Sequence, residues 1–181
     1  MELQQTYNLR RSIRKYKNKD IPKEVILELI DTARISPSAK NIQPWKFYVA
    51  KRQTKDTIAD FMKEYADANG PEKYAGMYST GNAIKQAPVL LLVFRDNDAP
   101  LDRNDTLSIG SAVEHILLKA TELGLGSLWI CAMYKVRDKI SKLIGTDLEL
   151  YSCIALGYAD EQPSARPRKS LQDIIMNIDE F

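Results

Sequence analysis

Apolar positions recur at two spacings along the chain, and the spacings divide it into elements. In "PKEVILELIDTARIS", Val25, Ile26, Leu29, Ile30 and Ala33 fall on one face of a helix. Pro22 suits the first turn of that helix, and Pro37 disfavours helical geometry in the residue before it, so the helix should end near Ser36. From Trp45 to Lys51, "WKFYVAK" is rich in aromatic and β-branched residues and alternates, which predicts a strand. "TKDTIADFMKEYAD" returns to the helical period, with Thr54 as its N-cap. Gly70 to Asn82 is Gly-rich and aromatic and reads as an irregular excursion.

The second half is more apolar. Pro88 to Arg95 is an uninterrupted apolar run, the pattern of a strand covered on both faces. Asp105 to Leu123 is a helix whose apolar residues spread widely around its axis, with Asp105 placed to cap it and Gly124 to close it. A helix this apolar is buried, centrally or in a subunit interface. "GSLWICAM" (126–133) reads as a strand, "KVRDKISKLIG" (135–145) as a helix and "YSCIALGYA" (151–159) as a strand. The tail from Pro163 to Phe181 keeps enough pattern to read as ordered. No linker or repeat divides the chain, so residues 1–181 form one domain. Helices and strands mix without strict alternation, which predicts an α+β fold.

Composition narrows the function. The 181 residues carry 26 Lys and Arg against 24 Asp and Glu, a net charge of +2, so the chain lacks the basic excess of a dedicated nucleic-acid binder. Its two cysteines, Cys131 and Cys153, lie in apolar runs and supply neither a disulfide framework nor a zinc site. They read as reduced, buried thiols, and the lone His115 reads as structural. "MELQQTYNLRRS" has no apolar leader, and "APVLLLVF" is too short to span a bilayer; these predict a soluble, cytoplasmic protein.

Charge is nevertheless concentrated. "RRSIRKYKNK", Arg10 to Lys19, holds six basic residues in ten, and Arg166, Arg168 and Lys169 form a second knot. Arginine presents a planar fork of donors suited to phosphate, and Ser12 adds a hydroxyl. Taken alone, each knot is equally a solvated face. "SPSAKNIQPW" (36–45) is a loop of small and amide residues whose donors and acceptors suit the polar edge of a flat ring, though alone it is only a turn. "GLGSLW" lacks the third glycine of a dinucleotide fingerprint and precedes a strand instead of following one, so it is not a Rossmann site.

In order, "RRSIRKY", "ISPSAKNIQPWKFYV", "LGLGSLWI" and "ALGYADEQPSARPRKSL" resemble the FMN-dependent nitroreductase family over Tyr7 to about Ile174. The resemblance implies a nitroreductase-like α+β fold, a central mixed or antiparallel sheet flanked by helices, and a homodimer with shared active sites. It implies that Arg10 and Ser12, with Arg11 alongside, hold the phosphate and ribityl chain of FMN. Arg14 would reach the N1–O2 edge of the ring and tune it, the chemistry being the flavin's own and no side chain being assigned as catalytic. Pro37, Ser38, Ala39 and Asn41 would lie in the segment that the partner subunit lays on the flavin, Ala39 standing where the family often has a second Ser. Ile130 and Cys131 would present backbone groups near N5 and O4, Cys131 standing where the family often has Gly. Larger members place an acidic residue near N5, and "WICAM" offers none. Arg166 and Arg168 match a second pair of phosphate ligands, with Lys169 a weaker candidate. "PEKYAGMYSTGN" (71–82) would be a reduced lid.

The implied activity is hydride uptake from NADH or NADPH and ping-pong reduction of a nitroaromatic, quinone or similar planar conjugated acceptor. Neither nucleic acid nor membrane is an expected partner, and no metal is expected. The rival readings are a same-fold flavoenzyme of other chemistry, such as reductive dehalogenation or flavin breakdown, and a small nucleic-acid or anion-binding module built on the two basic knots.

Overall fold

The computed structural model describes residues 1–99 and 103–177; the last positions of the tail, 178–181, lie outside them. Four strands, β1 (Trp45–Ala50), β2 (Val89–Arg95), β3 (Gly126–Ile130) and β4 (Glu149–Gly157), form one antiparallel sheet in the order β1-β2-β4-β3. β2 lies at its centre, and each of its seven residues is buried, as its unbroken apolar run requires. Side chains alternate across the sheet, so β2 and β4 feed two cores. Leu90, Leu92, Phe94, Cys153 and Ala155 face one; Val89, Leu91, Val93, Ile154 and Leu156 face the other.

The first core is closed by α3 (Arg52–Asn69), α4 (Ala75–Gln86) and α6 (Arg137–Ile144). The second is closed by α2 (Lys23–Arg34) and α5 (Arg103–Glu122). The result is helices on both faces of an antiparallel sheet, the α+β architecture that the mixed element order predicts. α1 (Leu3–Leu9) rests on α5, and α7 (Leu171–Ile174) is a single turn closed by a capping box between Ser170 and Asp173. Among the described residues no helix is long and apolar enough to cross a membrane.

Several boundaries differ from the sequence reading. α3 starts at Arg52 with Lys51 as its N-cap, so Thr54 lies inside the helix. Asp105 likewise lies in the first turn of α5, not ahead of it, and is buried beside Arg95, its Oδ2 3.7 Å from Nη1. β3 stops at Ile130: Cys131 turns to φ −92°, ψ −22° and leads into a 3-10 turn over Ala132–Lys135. Most of the supposed excursion at 70–82 is the start of α4, with Met77 and Gly81 buried. Gly81 is a packing residue: a Cβ there would lie 3.1 Å from the Ala59 carbonyl oxygen of α3. Gly124, at φ +73°, does close α5, with Leu125 N–H reaching back to Ala120 O at 2.8 Å. The apolar wheel of α5 is satisfied centrally: Ile109, Ala112, Val113, Ile116, Leu117 and Ala120 are all buried within one chain.

Candidate functional site

The basic segment after α1 is laid along the open edge of β3. Ser12 pairs with Ser127 in a parallel bridge, and Ile13 N–H donates to Ser127 O at 2.9 Å. Gly126 permits this approach, since a Cβ there would fall 2.9 Å from the Ile13 side chain. Ile13 and Tyr16 turn into the core, which leaves Ser12, Arg14 and Lys15 exposed. The Tyr16 hydroxyl donates to Ile13 O at 2.7 Å, with Ala155 O at 3.2 Å alongside. Burial, reinforced by the nearby Glu161 charge, pushes its phenol far above its ordinary value and keeps it a neutral donor.

The chain leaving β4 then pairs with this segment. Lys17 N–H donates to Tyr158 O and Asp160 N–H to Lys15 O, each at 2.9 Å, and Tyr16 bridges Ala159. The Glu161 carboxylate accepts from the backbone N–H groups of Arg14 and Lys15. These contacts carry residues 163–168 past residues 7–14. The two basic knots, about as far apart in sequence as the chain allows, become the walls of one groove of about 500 Å³. Arg10, Arg11, Ser12 and Arg14 line one wall, and Arg166 and Arg168 the other, with Tyr7 and Asn8 at the α1 end. Lys169 is exposed and lies outside this lining.

The three N-terminal arginines are held differently. Arg11 Nη1 donates to Asn8 O and Arg10 O, each at 2.8 Å. Arg14 Nη1 donates to Ser12 O at 3.2 Å. Arg10 Nε lies 3.9 Å from the Glu114 carboxylate of α5. Five guanidinium groups around one groove repel one another, and an anion among them removes that repulsion.

A second groove, of about 310 Å³, continues from the first through Arg10 and Ser12. It is bounded by Glu114 and Leu117 of α5 and by Ser127, Trp129 and Cys131 along β3. Of the two cysteines expected to be buried, Cys153 is and Cys131 is exposed, because β3 ends at Ile130 and the chain turns outward there. Partial desolvation still pushes the Cys131 thiol above its ordinary value, so it is a neutral thiol near pH 7. The Ile130 side chain faces the other way, into the core, so only its backbone is on offer. Arg14, which the resemblance assigns to the ring edge, lines the first groove and not the second.

Pro37, Ser38 and Ala39 line a third, shallower groove with Leu107, Ser108 and Ser111 of α5. It shares no lining residue with the other two. Asn41 is exposed in the same loop, where Lys40, Asn41 and Gln43 all take left-handed φ of 52–57°. Ser108 fixes the loop: its hydroxyl accepts from Ala39 N–H at 3.2 Å and donates to Asn104 O at 2.7 Å. One chain therefore unites the two basic knots with Cys131 but leaves the Pro37–Asn41 loop apart.

Polar groups along the first two grooves fit a ligand with a phosphate and a polar chain. Arg11 Nε and Ser127 Oγ are buried and make no hydrogen bond within the protein. Such atoms are rare because leaving them unpaired costs about 1–3 kcal/mol each. A phosphate monoester matches the forked donors, a polyol matches the seryl hydroxyls, and a flat ring matches the compartment of Trp129 and Cys131. Sequence reasoning missed Glu114, Ser127 and Trp129. Periodicity places each on a helix or strand face, but the groove that unites those faces forms only when the N-terminal segment docks on β3.

Comparison with known proteins gives a consistent picture. The family model described as "Nitroreductase family" matches residues 8–158, which excludes the Arg166–Arg168 wall. YfhC of Bacillus subtilis (strain 168), which carries an NAD(P)H nitroreductase name, is 30% identical over 173 residues, covering 91% of this chain and 88% of its own. The iodotyrosine deiodinase of Thermotoga neapolitana is also 30% identical, over 182 residues, covering 90% and 91%. Among solved structures, a BluB-like flavoprotein of Clostridium difficile 630 superposes with a TM-score of 0.84 at 30% identity over 99% of this chain and 100% of its own. The FMN and NADPH-dependent nitroreductase NfnB of a Sphigopyxis strain shares the fold, with a TM-score of 0.87 at 17% identity over the full length of both chains.

Proposed function

The chain belongs to the nitroreductase family, and on that premise we propose that it is an FMN-dependent oxidoreductase that takes hydride from NADH or NADPH and reduces nitroaromatic, quinone or similar planar conjugated acceptors. The observation that carries this reading is the groove in which Arg10, Arg11, Ser12 and Arg14 face Arg166 and Arg168 and which runs on into the compartment of Trp129 and Cys131. FMN, when bound, supplies the two-electron chemistry. The arginines neutralise its phosphate, Ser12 donates or accepts beside them, and the end of β3 at Ile130 with the turn at Cys131 presents backbone at the ring end. Cys131, held protonated, acts as a neutral neighbour. In a homodimer, Pro37, Ser38, Ala39 and Asn41 of one subunit complete the site of the other. Donor and acceptor share one open compartment and occupy it in turn. A cytoplasmic location suits a nicotinamide-dependent reductase.

The experiment is direct. The purified protein should be yellow and release FMN on acid precipitation, at about one per subunit. With NADPH or NADH and a quinone varied together, double-reciprocal plots should be parallel. Release of FAD, or failure to take up FMN from excess, refutes the cofactor assignment. Intersecting lines refute the shared compartment.

A second reading is favoured by one finding, the likeness to an iodotyrosine deiodinase over 90% of this chain. In this reading the same site removes halide reductively from an ortho-halophenol. Anaerobic halide release with the reduced protein, alongside failure of every nitro and quinone acceptor, would select it.

A further inference from the structure

β3 presents Ser127 and Trp129 on the face opposite Leu128 and Ile130, which enter the first core. Ser127 uses its backbone to dock the basic segment, its carbonyl accepting from Ile13 N–H. Its side chain does nothing comparable. Residue 127 is 2% exposed, and its hydroxyl has no partner in the protein. Other buried hydroxyls, such as those of Ser36 and Ser108, donate to helix carbonyls. A hydroxyl stripped of water and left unpaired destabilises the fold; Ser152 shares that state inside the sheet, but of the two only Ser127 lies on a groove wall, where something outside the chain can complete the bond. The groove wall supplies the opportunity, since Ser127 lines the second groove together with Arg10 and Ser12, which also line the first.

Position along the strand identifies the ligand group. Trp129 and Cys131 lie two and four residues beyond Ser127, roughly 7 and 13 Å at strand rise. Ser12, its bridge partner, stands where the arginine groove and the ring compartment meet. A flavin mononucleotide with its phosphate among the arginines and its ring beside Cys131 puts its ribityl polyol at that junction. Polyol hydroxyls donate and accept, as the seryl hydroxyl does.

We infer that the Ser127 hydroxyl hydrogen-bonds a ribityl hydroxyl of FMN and fixes how far the flavin slides between the arginines and the ring compartment. The inference rests on the reading of the arginine groove as the phosphate site. It makes Ser127 a binding residue whose loss has opposite effects on the empty and the loaded protein.

The test uses the apoprotein, with FMN and FMN analogues lacking one ribityl hydroxyl as titrants and flavin fluorescence as the readout. Ser127→Ala should bind FMN about five- to tenfold more weakly. At least one deoxyribityl analogue should bind Ser127→Ala and the unaltered protein equally. The apoprotein's Tm should be unchanged or higher in the variant, because an unpaired hydroxyl has been removed. Ser152→Ala is the control: Ser152 is likewise buried with an unpaired hydroxyl, but it lies opposite Val93 within the sheet, so its loss should leave FMN affinity intact. Equal FMN affinity of Ser127→Ala and the unaltered protein, a uniform loss across every analogue, or a lowered apoprotein Tm would each overturn the inference. Arg168→Ala separates the two readings: if it leaves FMN affinity intact the phosphate assignment fails, and if it alone weakens binding only the Ser127 assignment fails.

Discussion

Arg168 is exposed and free to meet a ligand, whereas the Arg11 guanidinium is already tied to two backbone carbonyls. Arg168→Ala should therefore weaken FMN binding by roughly 10- to 100-fold, the worth of one charge-assisted bond, with little change in Tm. Arg11→Ala should lower both, because the two carbonyls lose their donor; isothermal titration and thermal melts of both variants separate the cases. Cys131 supplies a pH test. Partial desolvation of this exposed residue raises its thiol above the ordinary cysteine value near 8.5, so the thiolate fraction at pH 7 is smaller than for a free cysteine and grows as pH rises. Alkylation by iodoacetamide should be slow at pH 7, climb past pH 9, and fall when FMN is bound. Alkylation at pH 7 as fast as that of a free cysteine would contradict the raised value. At this scale the arginines and Ser12 were legible because their chemistry is unusual in any setting. Ser127 was not, because a serine inside an apolar strand looks like a neutral filler until its hydroxyl is found without a partner.

At the scale of elements, two glycines hold the basic segment against the sheet. A Cβ at Gly126 would press on the Ile13 side chain at 2.9 Å, and one at Gly157 would meet Pro88 Cδ at 2.6 Å and Tyr16 Cδ1 at 2.7 Å. Gly157→Ala should destabilise the fold by about 1–3 kcal/mol, read by denaturant melts. Gly126→Ala should cost less stability, because the Ile13 side chain can shift, yet should weaken FMN binding by displacing Arg10–Arg14 from β3. Unaltered FMN affinity in Gly126→Ala would show that the docking of this segment does not set the groove. The long periodic elements, α2, α5 and β2, were readable because burial on defined faces imposes the pattern. α1 was not, since it buries only Thr6 and exposes Leu3, Tyr7 and Leu9, leaving no apolar stripe. α4 was misread because glycine weakens a helix on average, whereas Gly81 is required by the close approach of α3.

For the molecule as a whole, the separation of the Pro37–Asn41 loop from the arginine groove within one chain is the central fact. If each flavin is shared between subunits, Arg168→Ala and Asn41→Ala disable opposite halves of the site. Mixing the two variants at an FMN concentration that leaves Arg168→Ala empty should then restore up to about half of full activity per mixed dimer, since one of its two sites carries neither substitution. No recovery in mixtures that sedimentation shows to be dimeric would refute the sharing. Leu107 of α5, Trp129 of β3 and Leu171 and Ile174 of α7 are exposed large apolar residues. Periodicity cannot reveal such sharing, because a face that would meet a second copy and a face that meets solvent both lack a partner in one chain.

The pairing of residues 14–17 with 158–161 also dictates an order of events during synthesis. Glu161 grips the backbone of Arg14 across 147 positions, and Arg166 and Arg168 follow it. A ribosome-bound chain still lacking these residues holds Arg10, Arg11 and Arg14 with nothing to face them. All four strands can pair before that, because β4 ends at Gly157. The sheet should therefore mature first and the groove last, since contacts this distant in sequence close slowly. In refolding from denaturant with FMN present, the far-ultraviolet signal should recover ahead of flavin quenching. A chain released after Gly157 should emerge folded but colourless.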